Sequence, residues 1–349
     1  MSIEITAGQS GLRARRKARA EAWGRFKKSI PGMTGVVLLA IFAVMAIAYP
    51  ILIRTVWDPD IYDPETGIDM VEVEKLYVRE VTDPATQVGR VDAFLSDMYS
   101  QPGDIVLVRA PAGIGLAHPL STDASGRDVL AMLLAGASSA FVMAMTAALT
   151  TAIVAVSIAA VAAYKGGWVD TILSNISGAL LLLPAPLLMI ILGTSPAGEH
   201  IGPAQFGFLF GLLAGAGAAA LVVRSQAVTT MQRPFIDTAR ISGAGGSRIV
   251  LRHLVPHLIP LAAIAMLIGV TGAIVADAFV SFLAYGENRF SWGTMINTAI
   301  TARPNLRTLI HTEWHVMVIG GLAVTLLAAS FYLVAIGLHT AFDTPKFKR

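Results

Sequence analysis

No cysteine occurs among the 349 residues, which excludes disulfides and thiolate metal sites and leaves the redox compartment unread. Charge is scarce too. Asp, Glu, Lys and Arg make up 14% of the chain against 55% hydrophobic residues, whereas a soluble domain carries about 25% charged residues. So little charge excludes a water-soluble globule, and a mean hydropathy of +0.66 agrees. The G-x-x-x-x-G-K-[ST] pattern is missing, so nothing here should cradle a nucleotide; the cluster Gly243–Ser247 is too short and lacks the lysine. No Ser/His/Asp set has a spacing that suggests catalysis, and no Ser/His or His/Glu pair at membrane depth suggests an intramembrane protease. A net charge of +3 on so apolar a chain is a poor basis for nucleic-acid binding. What the sequence has instead is long hydrophobic runs, the mark of an integral membrane protein.

A spanning helix needs roughly 20 mainly apolar residues to cross about 30 Å of hydrocarbon. Six stretches meet or approach this: Gly35–Ile53, Ser139–Tyr164, Ile172–Leu192, Phe206–Val223, Leu258–Ala276 and Val316–Leu338. The third contains Pro184 and Pro186 in "LLLLPAPLL". Helix breaks are tolerated in a membrane where protein neighbours or a water-filled cavity satisfy the freed backbone groups, which makes these prolines candidates for lining a pathway. "GLLAGAGAAA" (Gly211–Ala220) offers a face on which helices can approach closely.

Orientation follows from the Lys/Arg bias. Residues 1–32 carry eight Lys/Arg and two acids, 54–118 five and twelve, and 224–253 five Arg against Asp237 alone; the tail ends "KFKR". These counts place both termini and the 224–253 segment in the cytoplasm and 54–118 outside, as six spans require. The first apolar run is long enough to span and lacks a clean small-x-small exit, so a retained helix is expected rather than a cleaved signal peptide. The outer segment is too long for a plain connection. Its "VEVEKLYVREV" and "DIVLVRA" alternate at period two and suggest a small β element, while "WDPDIYDPETG" reads as irregular.

The segment "DTARISGAGGSRIVLRHLVP" (Asp237–Pro256) interrupts two of the most apolar stretches. Pro234 can open a short helix at its first position and Gly243 can end it. On "PFIDTARIS", Phe235, Ala239 and Ser242 share a face, with Asp237 and Arg240 elsewhere. "GAGG" then permits a sharp turn with positive φ. Ser247 can cap the next helix, on which Arg248 and Arg252 lie one turn apart. A short surface helix of this kind suits a groove on a partner; the alternative is an interfacial anchor among headgroups.

This pattern resembles the "EAA…G…I…LP" coupling loop of ABC importer permeases, here Asp237-Thr238-Ala239, Gly243, Ile249 and Leu254-Val255-Pro256. Asp stands for Glu, Thr for the first Ala, and Val precedes the proline. "HPLSTDASGRDVLAMLLAGASSAF" (His118–Phe141) is similar to the entry block of the dipeptide/oligopeptide/nickel permease family. "YKGGWVDTILSNISGALLLLPAPLL", "ADAFVSFLAYGENRFSWGTMI" and "IGLHTAFDTPKFKR" resemble further blocks of that family in order, and together they cover roughly 118–349.

The resemblance implies an all-α polytopic membrane protein: six transmembrane helices in the MetI-like permease fold, with an extracytoplasmic insertion after the first. The organisation expected is a basic cytoplasmic N-terminus at 1–32, a first transmembrane helix at 33–53, the insertion at 54–118, a five-helix core at 119–342 containing the coupling loop 224–256, and a cytoplasmic tail at 343–349. It further implies peptide import across a prokaryotic inner membrane by a non-enzymatic subunit. Its partners would be a second homologous permease, two ATPase subunits, an extracytoplasmic binding protein and membrane lipid, with no nucleic acid. No cofactor is expected on this chain; ATP and Mg belong to the ATPases. The ATPase-coupling residues carried over are Phe235, Asp237, Thr238, Ala239, Arg240, Gly243, Ala244, Arg248 and Arg252. Nickel chelates or oligosaccharides are the alternative cargo. A stand-alone secondary transporter is the alternative class; it should carry its own coupling-ion site and often internal repeats.

Other constellations weigh less. His253/His257 and His311/His315 have one-turn spacing, but Pro256 interrupts the first pair and "HTEWH" lacks the H-E-x-x-H order of a zinc protease. No metal site is expected; Trp314 and His315 read as outer-interface residues. Asp277 follows the apolar fifth span and is a candidate for solute contact or for pairing with Arg289. Arg127 and Asp128 read as a capping and interface pair before the second span, with Ser121, Thr122 and Asp123 able to serve as its N-cap group.

Overall fold

The computed structural model describes residues 21–74, 105–109, 113–193, 195, 201–283, 290–301 and 313–342. Arg289, His311, the 75–104 stretch and the "KFKR" tail, all given parts in the sequence reading, lie outside them, as does most of the basic N-terminal cluster.

Among the described residues, five helices are long and apolar enough to cross a membrane, and a bent pair, taken as one span, makes a sixth. A short helix α1 (21–28) leads into α2 (Ile30–Thr55), the first span. One turn of helix, α3 (Pro59–Tyr62), opens the insertion. There β1 (Met70–Glu74) pairs antiparallel with β2 (Ile105–Arg109), with Met70 opposite Arg109. The alternating segments therefore do form a small β element. The second span, α4 (Val129–Lys165), starts ten residues before the apolar run that marked it. Asp128, one of the pair read as capping, caps it, and the Ser121–Asp123 group does not: the Asp128 Oδ1 accepts the Ala131 amide at 2.6 Å, the bond expected of an N-cap side chain. The Asp123 carboxylate is occupied instead by the amides of Ser125 and Arg127 and by the Arg127 guanidinium.

The third span is broken rather than kinked. α5 (Gly167–Leu182) and α6 (Ala185–Gly193) meet at 76° across Leu183 and Pro184. Pro184 lacks the N–H that would continue α5, and Leu183, preceding it, is held in extended conformation. The fourth span runs from α7 (Pro203–Ala214) through a π-turn (Gly215–Ala219) into α8 (Ala220–Met231). After the short α9 (Pro234–Ile241) come α10 (Gly246–Arg248), a π-turn (Ile249–Leu254) and α11 (Val255–Phe282), which together make the fifth span. The π-turn has a cause in Pro256. Its ring would clash with the carbonyl four residues back, and the wider turn, with the Val255 amide bonded to Val250, leaves room for it. α12 (Trp292–Thr301) and the last span α13 (Trp314–Phe342) follow.

The chain divides into two compact units. The first comprises Met1–Phe42, Val142–Asp277 and Thr325–Arg349. Within it, Gly207, Gly211 and Gly215, four residues apart, lay α7 directly against α4: a Cβ on Gly211 would meet Thr150 at 2.7 Å, and one on Gly215 would meet Val154 at 2.9 Å. This is the small-residue packing face anticipated for Gly211–Ala220, extended by one turn. Gly35 lets α2 approach α13 in the same way, since a Cβ there would lie 2.7 Å from the Ser330 carbonyl. The second unit comprises Ala43–Phe141 and Ala278–Val324. Its centre is Trp292, buried against Gly136, with Nε1 donating to the Leu133 carbonyl at 3.0 Å.

Candidate functional site

The residues singled out between Pro234 and Arg252 form one continuous surface feature. Arg233 is extended (φ −81°, ψ 143°), as a residue before proline must be, and Pro234 sits at the first helical position. α9 ends one residue earlier than read, because Ser242 leaves helical geometry and its Oγ bonds the Thr238 carbonyl at 2.8 Å. Gly243 follows at φ +78°. The Gly243 amide donates to Arg240, and the Ala244 amide reaches back to Ala239, both at 3.0 Å. These two bonds are the Schellman closure of a helix end, for which glycine in the left-handed region is suited. In "GAGG" only Gly243 uses positive φ; Gly245 is extended and itself caps α10, so Ser247 lies inside the next helix rather than at its cap.

What fixes α9 in place is a residue the sequence reading passed over. Ile236 is fully buried in an apolar cluster with Ala155 and Ala159 of α4, Val223 and Ala227 of α8, and Leu254 and Leu258. Phe235, Ala239 and Ala244 pack half-buried on the same cluster, so of the three residues read as sharing a face, Phe235 and Ala239 turn to the core and Ser242 does not. Phe235 stacks on the His257 ring at 5.1 Å and 22°. His257 Nδ1 donates to the His253 carbonyl at 2.7 Å, so this histidine pair is joined through backbone, and the ring serves α9. Nothing in an i, i+4 histidine spacing announces a role as a platform for Phe235. Ile236 was legible in principle, as the apolar residue flanked by Phe235 and Asp237 on a half-polar helix.

The opposite face is polar and open. Asp237, Thr238, Arg240, Ile241 and Ser242 are exposed, Ile241 at 87%. Asp237 and Arg240 approach at 3.5 Å, and each sits at the helix end its charge favours. Arg248 and Arg252 are also exposed. A bidentate pair unmarked in the sequence, Asp170 of α5 with Arg224 of α8, fixes the two spans leading toward this region.

The three pathway candidates are placed as follows. Pro184 is exposed at the 76° break, Pro186 is half-buried in the first turn of α6, and Asp277 is buried in α11 five residues before its end.

In the second unit, His118 is 4% exposed and lies between two carboxylates. Nδ1 meets Asp128 and Nε2 meets Asp69, both at 2.8 Å. Burial alone lowers an imidazole's proton affinity, but hydrogen bonds from both ring nitrogens to Asp69 and Asp128 outweigh it and hold the pKa above its usual value. The Asp69 amide donates to Gly126 at 3.2 Å, and Tyr62 Oη donates to the Ala117 carbonyl at 3.1 Å. The start of the insertion is thus tied to the turn before the second span. His315 Nε2 lies 3.4 Å from the Thr122 carbonyl.

Comparison with known proteins fits this arrangement. Residues 152–346 match the model for binding-protein-dependent transport system inner membrane components. The chain is 30% identical over 237 residues to a putative peptide transport system permease of Brucella suis biovar 1, covering 67% of this chain and 75% of that one. It is 32% identical over 186 residues to the oligopeptide transport permease OppC of Mycobacterium bovis, covering 52% and 62% of the two chains. To the glutathione transport permease GsiD of Pectobacterium atrosepticum it is 28% identical over 246 residues, covering 69% and 76%. Matched over more than half its length, and with the multi-pass helical architecture such a subunit needs, the chain belongs to the binding-protein-dependent transport system inner membrane components, the permease subunits of ABC importers.

Proposed function

We propose that the chain forms half of a peptide pathway through the inner membrane, and that α9 is the lever by which separate ATPase subunits move it. The observation that carries this reading is the divided character of α9: Ile236 is locked into the core cluster while Asp237, Thr238, Arg240 and Ile241 stand clear of it. A force applied to the outer side chains reaches α4, α8 and α11 through Ile236 and the Phe235–His257 stack, because a close-packed interior transmits displacement. Switching requires only that the ATPases contact α9 differently in their open and closed forms. Phe235, Ala239, Ala244 and Gly243 hold the lever's shape, and the exposed Arg252 lies on the segment that follows it.

In this reading both termini and the 224–256 loop face the cytoplasm, and 54–118 faces outward, where a binding protein delivers solute. A second homologous permease completes the pathway, and ATP with Mg²⁺ is bound by the ATPase subunits. Pro184 and Pro186 line the route at a break whose freed backbone groups water can satisfy, and Asp277 is its buried ionisable group. Peptides are the solute class, in keeping with relatives named for peptide, oligopeptide and glutathione transport.

Because the chain has no native cysteine, a single cysteine at Arg240 or Ile241 carries a cross-linker unambiguously. In membranes that import peptide, both positions are expected to capture a nucleotide-hydrolysing subunit. No capture at either, with import intact, removes the lever. Purification of the chain as a lone, transport-competent protein overturns the whole reading.

A further inference from the structure

A groove of about 600 Å³ runs between α4 and the fifth span, walled by Ile153, Val156 and Val161 on one side and Val255, Ile259 and Met266 on the other. Its lining is apolar apart from Ser157 and holds no Asp or Glu. From Ala152 to Val161 it follows α4 for about 14 Å, and from Leu251 to Met266 it follows the fifth span for about 22 Å, at 1.5 Å per residue, room for an extended acyl chain within the roughly 30 Å hydrocarbon thickness.

The groove's end is charged. Tyr164 and Lys165 continue the α4 wall by one turn beyond Ala160 and Val161, since positions four apart share a helix face. Arg248 lies one turn before Leu251, a wall residue on the other side. The two walls meet here, because Gly246 packs directly on the Tyr164 ring. Lys165 and Arg248 are both exposed, and Trp168, 75% exposed just beyond, is the kind of residue that marks a membrane–water boundary. An apolar slot ending in two cations and a phenol matches one ligand chemistry.

We propose that this groove holds an anionic phospholipid, with an acyl chain between α4 and α11 and the phosphate against Lys165 and Arg248. Basic pockets between spans are suited to such headgroups. The cationic end, with no carboxylate in the lining, selects an anionic headgroup over an apolar helix of a second permease. Arg248 is thereby given to the lipid, and the lever keeps the charges of α9. The inference stands apart from the peptide reading, since the full-length chain alone can be tested.

The purified full-length chain is incubated with palmitoyl-oleoyl phosphatidylglycerol or phosphatidylcholine and examined by native mass spectrometry. One phosphatidylglycerol is expected to be retained in preference, and Lys165→Gln and Arg248→Gln each to lower that preference about fivefold, the worth of one cation near an anionic headgroup. Val161→Trp, at a lipid-accessible wall position, is expected to reduce retention of both lipids. Equal retention of the two lipids by the unmodified chain, an undiminished preference in the doubly substituted chain, or a single cysteine at Ile259 that cross-links quantitatively to a second permease in native membranes overturns the proposal.

Discussion

α9 and the His118 junction are both short segments lodged between spans, and they are built on opposite plans. α9 is anchored by apolar atoms, Ile236 in the cluster and Phe235 on His257, and turns Asp237 and Arg240 to solvent. The junction does the reverse: His118 and Asp128 are buried, and the charge is spent on directional bonds to one another and to Asp69. An element to be gripped from outside must keep its ionisable groups hydrated, so its own attachment falls to non-directional contact. A junction that only holds can desolvate its charges, where hydrogen bonds are strong, but its strength then depends on a single proton.

The largest effect is expected where α9 depends on backbone rather than on side chains. Gly243→Pro cannot adopt φ +78° and removes the amide bonded to Arg240; unwinding the turn costs about 3 kcal/mol. The chain should still insert in the membrane, while uptake collapses and ATP hydrolysis in the complex continues. Gly243→Asn, which tolerates the left-handed region, should retain most uptake. Equal, normal uptake in both variants would mean that the turn's geometry carries nothing.

The junction should fail differently, by pH. Hydrogen bonds to its two carboxylates raise the His118 pKa despite burial, so its folded pKa lies above the unfolded value of about 6.5. The stability it contributes is fully present below that value and is lost as pH rises through the folded pKa. Once the base catalysis common to all amides is divided out, protection of the Asp69 amide, bonded to Gly126, should fall as pH rises through the folded pKa of His118, with no matching fall at Ala244. His118→Gln should abolish this dependence and loosen the junction by about 3 kcal/mol, the cost of leaving a buried carboxylate without its charged partner. An Asp69 protection factor that does not change with pH would remove the contrast between the two regions.

Much of this was legible from residue order. Apolar runs located every span, charge bias set an expected orientation, period-two alternation announced β1 and β2, and Pro234 with Gly243 bounded α9 to within a residue. The failures share a physical cause. His118 spans Asp69 and Asp128 because these partners are fixed by tertiary approach, across 49 residues in one case and 10 in the other. Sequence spacing is blind to such approach. The same holds for Asp170 with Arg224, 54 residues apart, and for the His257 platform. The 76° break shows a different limit: Pro184 predicted interruption, but the angle depends on how α5 and α6 find separate packing partners. The proposed coupling residues were legible as a surface; Ile236 was legible only as one of two adjacent apolar residues, since the sequence does not reveal whether it or Phe235 goes deeper.

The smallest expected effect separates the two plans most cleanly. Asp237 and Arg240 are one turn apart, 3.5 Å from each other and largely in water, where an exposed pair contributes at most about 0.5–1 kcal/mol and is weakened further by salt. A double-substitution cycle on Asp237→Asn and Arg240→Gln, read by thermal unfolding of the purified chain, should therefore give a coupling below about 0.5 kcal/mol. Cross-linking of Ile241 to the ATPase subunit should fall in both single variants, because the charges are available to a partner and unspent at home. A coupling above about 1.5 kcal/mol in the isolated chain would place this pair in the same class as His118 with Asp128. α9 would then be a buried-charge junction like the other, with nothing left over for a partner to hold.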